Sequence, residues 1–139
     1  MDDAELAVVV LGSTAGATKV IVDDLRSRGV AAGMVKLRVF RPFPYDEIVK
    51  VLSGVKACAV LDRSIAYGGD GGPVHIEVRS AFYGHNPAPL LCNYIYGLGG
   101  KPIDVEHLES VYDDLKEAVV RGGFKRRIGY LNLKETSYA

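Results

Sequence analysis

The chain has no tryptophan and only two cysteines in its 139 residues. Cys58 and Cys92 each sit inside an apolar run, without CxxC spacing or a histidine at a ligand interval, so both are expected to be buried, reduced and structural. That pattern argues against a disulfide framework and against a zinc site. No run approaches the roughly 18 consecutive apolar residues of a membrane-spanning helix. The start, with Asp2, Asp3 and Glu5, lacks the basic flank of a signal peptide, so a cytoplasmic protein with no membrane partner is expected. There is also no net charge, with 17 basic side chains against 17 acidic ones. The balance hides an asymmetry: residues 1–120 carry 12 basic and 16 acidic side chains, whereas 121–139 carry Arg121, Lys125, Arg126, Arg127 and Lys134 against Glu135 alone. The basic end lacks a groove-reading motif, so no nucleic-acid partner is expected and a solvated or subunit-binding tail fits better.

The apolar content of 48% suffices for one ordinary core. Leu6–Leu11 is a continuous apolar strand, followed by a glycine turn and a helix from about Ala17 to Arg28 that Gly29 stops. Met34–Phe40 alternates Val35, Leu37 and Val39 with Lys36 and Arg38, as a strand near the sheet edge does. Arg41-Pro-Phe-Pro44 then turns into a short helix with Gly54 as its stop. Pro73 starts a third helix and Gly84 ends it, Leu90–Tyr96 is a fourth strand, and Asp104 caps a last helix that runs to Gly122. This alternation of strands and helices predicts a three-layer α/β/α sandwich around a mainly parallel sheet. Residues 1–122 form the domain and 123–139 a basic C-terminal tail, with only Met1–Glu5 and Gly123–Ala139 expected to be unanchored.

The organising stretch is Ala57–Pro73, an apolar run that ends in Asp62, Arg63 and Ser64 and then in Gly68, Gly69, Gly71 and Gly72. An apolar run of this kind needs cover on both faces, and the carboxyl end of such a central strand is where ligands and partners dock. Adjacent side chains leaving a strand point to different sides, so Asp62, Arg63 and Ser64 do not converge on one substrate atom without a sharp turn. Contact with a partner, or the pinning of a loop N–H by Asp62, is the expected role, and Arg38 and Arg41 are candidates for the same surface. His75, in the first turn of the third helix, is expected to be neutral, because the helix dipole disfavours an imidazolium there.

Two further loops join this list. The turn Gly12-Ser13-Thr14-Ala15-Gly16 between a strand and a helix start is a candidate phosphate loop through Gly12, Ser13, Thr14 and Gly16, with Lys19 nearby. It matches neither GxGxxG nor GxxxxGK[ST], and the alternative is a tight turn whose hydroxyls cap the helix. A second glycine loop carries Gly97, Gly99 and Gly100. No GxSxG elbow and no HExxH occurs, and His85 and His107 have no partner at ligand spacing, so neither catalytic residues nor a metal site can be assembled. From the residues alone the chain reads as an accessory α/β domain. The alternatives are a stand-alone phosphate or nucleotide binder and a dimerisation or regulatory module that pairs through Met34–Phe40.

Four stretches taken together resemble one family: Val9-Val-Leu-Gly-Ser-Thr-Ala-Gly16, Phe40-Arg-Pro-Phe-Pro44, Val60-Leu-Asp-Arg-Ser64 with its glycine loop, and Asn93-Tyr-Ile-Tyr-Gly-Leu-Gly-Gly100. Their order and spacing over roughly Ala4–Gly122 are similar to the C-terminal domain of the alpha subunit of pyruvate:ferredoxin oxidoreductase, or pyruvate synthase. The Asp-Arg-Ser and Gly-Leu-Gly-Gly stretches resemble the pyruvate branch more than the 2-oxoglutarate branch. The resemblance implies a fold like the transketolase C-terminal domain, with a five-stranded sheet that includes one antiparallel strand. Pattern alone finds four strands and leaves the fifth to a segment after His85 or to the tail.

The resemblance also implies an enzyme that decarboxylates pyruvate on thiamine diphosphate, passes electrons through iron–sulfur clusters to ferredoxin and hands the acetyl group to coenzyme A. Two isolated cysteines cannot ligate a cluster. In the family, the thiamine-binding residues lie in the preceding domain and in the beta subunit. The chain is therefore expected to be a piece of a longer alpha subunit or a separate subunit, inactive alone and without a cofactor of its own. Its expected partners are the thiamine-binding domain and the beta, gamma and delta subunits, with ferredoxin reached through the holoenzyme.

Overall fold

Three apolar strands build the centre of the sheet: β1 (Leu6–Leu11), β3 (Ala57–Asp62) and β4 (Leu90–Ile95). Residues of β1 and β3 are almost wholly buried on both faces, as strands covered by helices on each side must be. The more polar β2 (Ala32–Leu37) takes one edge and β5 (Ile128–Tyr130) the other, giving the order β2-β1-β3-β4-β5. This is a computed structural model, and it describes residues 1–64, 66, 68–97 and 103–131. Every described strand pairing is parallel, so the antiparallel strand implied by the family resemblance does not occur among these residues.

Helix α1 (Thr14–Ser27) and helix α4 (Val105–Arg121) cover one face of the sheet, while α2 (Tyr45–Val51) and α3 (Pro73–Ala81) cover the other. On the first face Val8, Val10, Ala59 and Leu61 meet Ile21 and Leu25 of α1 and Leu108, Val111 and Leu115 of α4. Each of those three α4 side chains is fully buried and contributes about 1.5–3 kcal/mol through removal from water. On the second face Ala7, Val9, Cys58 and Val60 meet Ile48, Val74, Val78 and Phe82. Asp104 caps α4 by accepting from the His107 N–H at 3.0 Å, and the His107 ring reaches back to the Asp104 N–H. Among the described residues no helix is long and apolar enough to cross a membrane.

Several expectations need correction. Helix α1 begins at Thr14 rather than Ala17, because Gly12 turns the chain with φ of 72° and the helix follows at once. Gly29, Gly84 and Gly122 do take positive φ after their helices, but Gly54 does not; there the Ser53 and Val55 N–H groups close the turn on Lys50 and Leu52 carbonyls. The N-terminus is anchored, since Met1 packs on the second core, Asp3 pairs with Arg26 at 3.0 Å and the Glu5 N–H donates to the Ala31 carbonyl at 2.8 Å.

Residues 128–131 are not free either. Asn93, Tyr94 and Ile95 pair with Ile128, Gly129 and Tyr130, and the Leu131 N–H donates to the Ile95 carbonyl at 2.9 Å. The fifth strand therefore comes from the basic end. Glycine at 129 is what admits it, because a Cβ there would lie 2.8 Å from the Tyr94 ring. Since α1 and α4 share a face while β2 and β5 extend the sheet in opposite directions, the β4–α4–β5 connection has the hand opposite to the other three.

Candidate functional site

A parallel sheet brings all its strand ends to one side, and here that side collects the turn after β1, Arg38 beyond β2, Asp62–Ser64 at the end of β3, and Gly97 beyond β4. The crevice between β1 and β3 is the topological switch point, where β1 connects outward to β2 and the chain then crosses back to β3.

Asp62 does not face this edge. Its side chain is buried and turned towards α3, where Oδ1 accepts from the Val74 N–H at 2.9 Å and Oδ2 from the His75 N–H at 3.0 Å. The Asn93 amide donates to the same Oδ2 at 2.9 Å and to the Val60 carbonyl at 2.9 Å, while its own oxygen accepts from the Gly72 N–H at 2.8 Å. Gly72, the N-cap of α3, has no side chain to cap with, so the end of β3 supplies the acceptors. The glycine is needed for that approach, because a Cβ would fall 2.1 Å from the Asp62 Cγ. Burial raises the Asp62 pKa above the ordinary carboxylate range, against the pull of the Val74 and His75 amides and Asn93.

His75 lies beside this cluster, 1% exposed, and neither of its ring nitrogens has a hydrogen-bond partner among the described residues. Burial, helped by the Arg79 and Arg127 charges and opposed by Asp70, lowers its pKa to about 4, so the ring is neutral at physiological pH. Asp70 sits at the exposed side of the same loop and accepts from Arg79 at 3.0 Å and from Arg127 at 2.7 Å.

Arg63 and Ser64 are exposed. The Arg63 guanidinium stands 5.6 Å from the Tyr96 ring centroid and lies against Gly97, with no carboxylate partner among the described residues. Arg38 is likewise exposed beyond β2. Arg41 is engaged within the chain: it lies 4.2 Å over the Phe40 ring and 3.5 Å from Glu77, which also accepts from the Tyr45 hydroxyl. Gly68 and Gly69 line the exposed outer part of the loop, and Gly71 lies against Asn93 and His75. Gly99 and Gly100 fall outside the described residues.

The turn after β1 differs from the expected hydroxyl cap. Ser13 has helical φ and ψ of −67° and −22°, from which its hydroxyl makes no capping bond, and the first turn of α1 contains no acidic residue. Thr14 is buried, and its carbonyl accepts from the Thr18 hydroxyl at 2.9 Å. Lys19 points to Asp23 at 3.2 Å, along the helix and not towards the turn. The edge of β2, expected as a pairing strand, has no neighbour among the described strands.

Chemistry of the nucleophilic or metal-assisted kind finds little support in these side chains. Burial raises the thiols of Cys58 and Cys92 to about 12 and about 11, and both cysteines are free. Among the described residues no group of three histidine, cysteine, aspartate or glutamate side chains is gathered to hold a metal ion. A cleft of about 320 Å³ lies between α4 and β5, lined by Tyr94, Asp114, Arg121, Phe124 and Tyr130 among others, and it shares no residue with the strand-end loops. The residues that organise the site without having been singled out are Asn93, Asp70 and Arg127. Asn93 alone had a visible signal, as an amide inside an otherwise apolar strand.

Comparison with known proteins adds what the geometry leaves open. Residues 4–108 match the family described as pyruvate:ferredoxin oxidoreductase core domain II. The chain is 38% identical over 135 residues to pyruvate synthase subunit PorA of Thermotoga maritima, covering 97% of this chain and 33% of that protein. It is 37% identical to ketoisovalerate oxidoreductase subunit VorA of Pyrococcus furiosus, covering 96% and 34%. A third relative, the alpha subunit of NADH-dependent phenylglyoxylate dehydrogenase of Aromatoleum evansii, is 38% identical over 88% of the chain and 29% of its own length. The chain thus spans about a third of the length of the curated relatives it matches. Among solved structures, a split-gene transketolase in an inactive beta4 tetramer aligns with a TM-score of 0.54 and 18% identity over 86% of this chain and 38% of that one, a likeness of fold.

Proposed function

The chain belongs to the pyruvate:ferredoxin oxidoreductase core domain II family, and from that premise we propose that it is the non-catalytic C-terminal domain of the alpha subunit of a cytoplasmic pyruvate:ferredoxin oxidoreductase. In that enzyme, pyruvate, coenzyme A and oxidised ferredoxin give acetyl-coenzyme A, carbon dioxide and reduced ferredoxin. The domain's strand-end loops form subunit contacts and part of the active-site wall, beside the thiamine-binding domain and the beta, gamma and delta subunits.

The observation that carries this reading is the division of labour at the end of β3. Asp62 is consumed in holding α3, while its neighbour Arg63 stands exposed across Tyr96 and Gly97, without a carboxylate partner among the described residues. An exposed guanidinium beside an aromatic ring suits a contact surface better than acid–base work. The residues here do not fit thiamine diphosphate. Its diphosphate calls for metal-holding carboxylates, and the one carboxylate at the end of β3 already has its oxygens taken by two backbone amides and Asn93. No step through that cofactor is therefore assigned to this chain. The iron–sulfur clusters and coenzyme A belong, in this reading, to the other parts of the complex.

The test is Arg63→Ala in the assembled oxidoreductase. It should weaken subunit association or lower pyruvate turnover by about tenfold, a loss of the size expected for an arginine at the centre of an interface, while the melting temperature of the chain by itself stays unchanged. Full assembly and turnover, or a clear drop in that melting temperature, would sink the proposal, as would calorimetric binding of thiamine diphosphate by this chain alone.

A further inference from the structure

Two separate links join the segment Gly68–Gly72 to the C-terminal strand. The first runs through the ladder: the Arg127 carbonyl accepts from the Asn93 N–H at 2.9 Å, and the Asn93 side chain holds the Gly72 N–H at 2.8 Å. The second is ionic, from the Arg127 guanidinium to Asp70 at 2.7 Å, with Arg79 of α3 on the same carboxylate oxygen at 3.0 Å. Arg127 directly precedes β5, a strand of only three residues. Behind the segment lies His75, its two ring nitrogens without a partner among the described residues, so access of water there would relieve a buried polar group.

We propose that Arg127 clamps the glycine segment shut through Asp70, so that the seating of β5 controls the conformation of one of the loops at the strand-end surface. Displacement of β5 frees Gly68–Gly72 and opens His75 to water. This stands on contacts within the chain and does not require the docking role of Arg63, which is read in the assembled enzyme.

Amide hydrogen exchange on the 139-residue chain, for Asp70→Asn, Arg127→Gln and the double variant, tests the clamp. Each single variant should speed exchange at residues 68–72 by about threefold or more, as expected for loss of a networked ion pair. The double variant should exchange no faster than Asp70→Asn alone, which loses Arg79 as well as Arg127. The His75 ring supplies an independent readout. The charges that act on it are Asp70 from the loop, Arg79 from its own helix and Arg127 from the segment before β5, while Asp62 of β3 accepts from its backbone N–H. Removing the Asp70 charge alone would lower the ring's titration midpoint further, whereas opening to water raises it from about 4 towards the ordinary 6.5. A rise in Asp70→Asn supports the clamp. Unchanged exchange, additive effects or a falling midpoint would overturn it.

Discussion

Two strand-to-helix turns of this fold start from similar sequence, a buried strand running into glycine, and end in opposite states. After β3 the chain makes a long loop before α3, and the helix N-terminus is closed by a buried carboxylate from twelve residues upstream. After β1 the chain turns within two residues into α1, Ser13 is already helical, and no side chain caps the first turn. In the charged turn, the carboxylate of Asp62 is spent on structure while Arg63 and Ser64 stay exposed. The plain glycine turn is the one left open. A charged residue at a strand end is evidence of a site only once its own lone pairs are accounted for.

The widest gap should appear on removing the groups named in this contrast. Asp62→Ala would strip acceptors from two backbone amides and from Asn93 in a buried setting, at a cost of about 3 kcal/mol. Ser13→Ala, at the matching place, should change stability by less than about 0.5 kcal/mol. Urea denaturation of the two variants checks this, and near-equal losses would break the comparison.

Next in size is a dependence on pH. The His75 pKa is depressed from 6.5 to about 4 in the folded chain, so between those values the unfolded chain holds the extra proton and stability falls as pH falls. The full shift, trimmed for screening by water and neighbouring charges, amounts to about 2 kcal/mol across that window. The raised pKa of Asp62 acts with the opposite sign, favouring the folded state below its own titration and softening the loss at the acid end. His75→Leu should flatten the slope and, by removing the unpartnered nitrogens, raise stability at neutral pH by about 1 kcal/mol. A slope that persists in the variant would mean that another group carries it.

The smallest effect is at the open turn. Ser13→Asp should stabilise α1 by about 0.5 kcal/mol through the helix dipole, in a manner that fades with added salt. A gain of several times that size would show that the backbone there can rearrange into a true capping geometry.

Much of this architecture is legible in the sequence because burial on both faces writes continuous apolar runs, as in Leu6–Leu11 and Ala57–Leu61, and because Asp104 and Gly122 bracket α4. The last strand is not legible: Ile128-Gly-Tyr130 is too short for periodicity to register and follows Arg126 and Arg127, which read as a solvated tail. At the site, pattern places Asp62 at the strand end and even suggests that it pins an N–H. Its partners Val74, His75 and Asn93 are set by the approach of α3 and β4, which only the assembled fold determines. Asp70 and Arg127 lie 57 residues apart, and no local rule connects them.

The opposite hand of the β4–α4–β5 connection bears on the order in which the chain can assemble. Helix α4 must travel back across β3 and β1 before the chain returns to the far edge, so both faces of the sheet can be covered before the last strand is in place. On a ribosome, β1–β4 and α1–α4 have emerged before β5, and what β5 then adds is a short, non-local pairing. An edge strand held on three residues of ladder is also one that leaves first under strain or heat, so hydrogen exchange among the described strands should begin at β5.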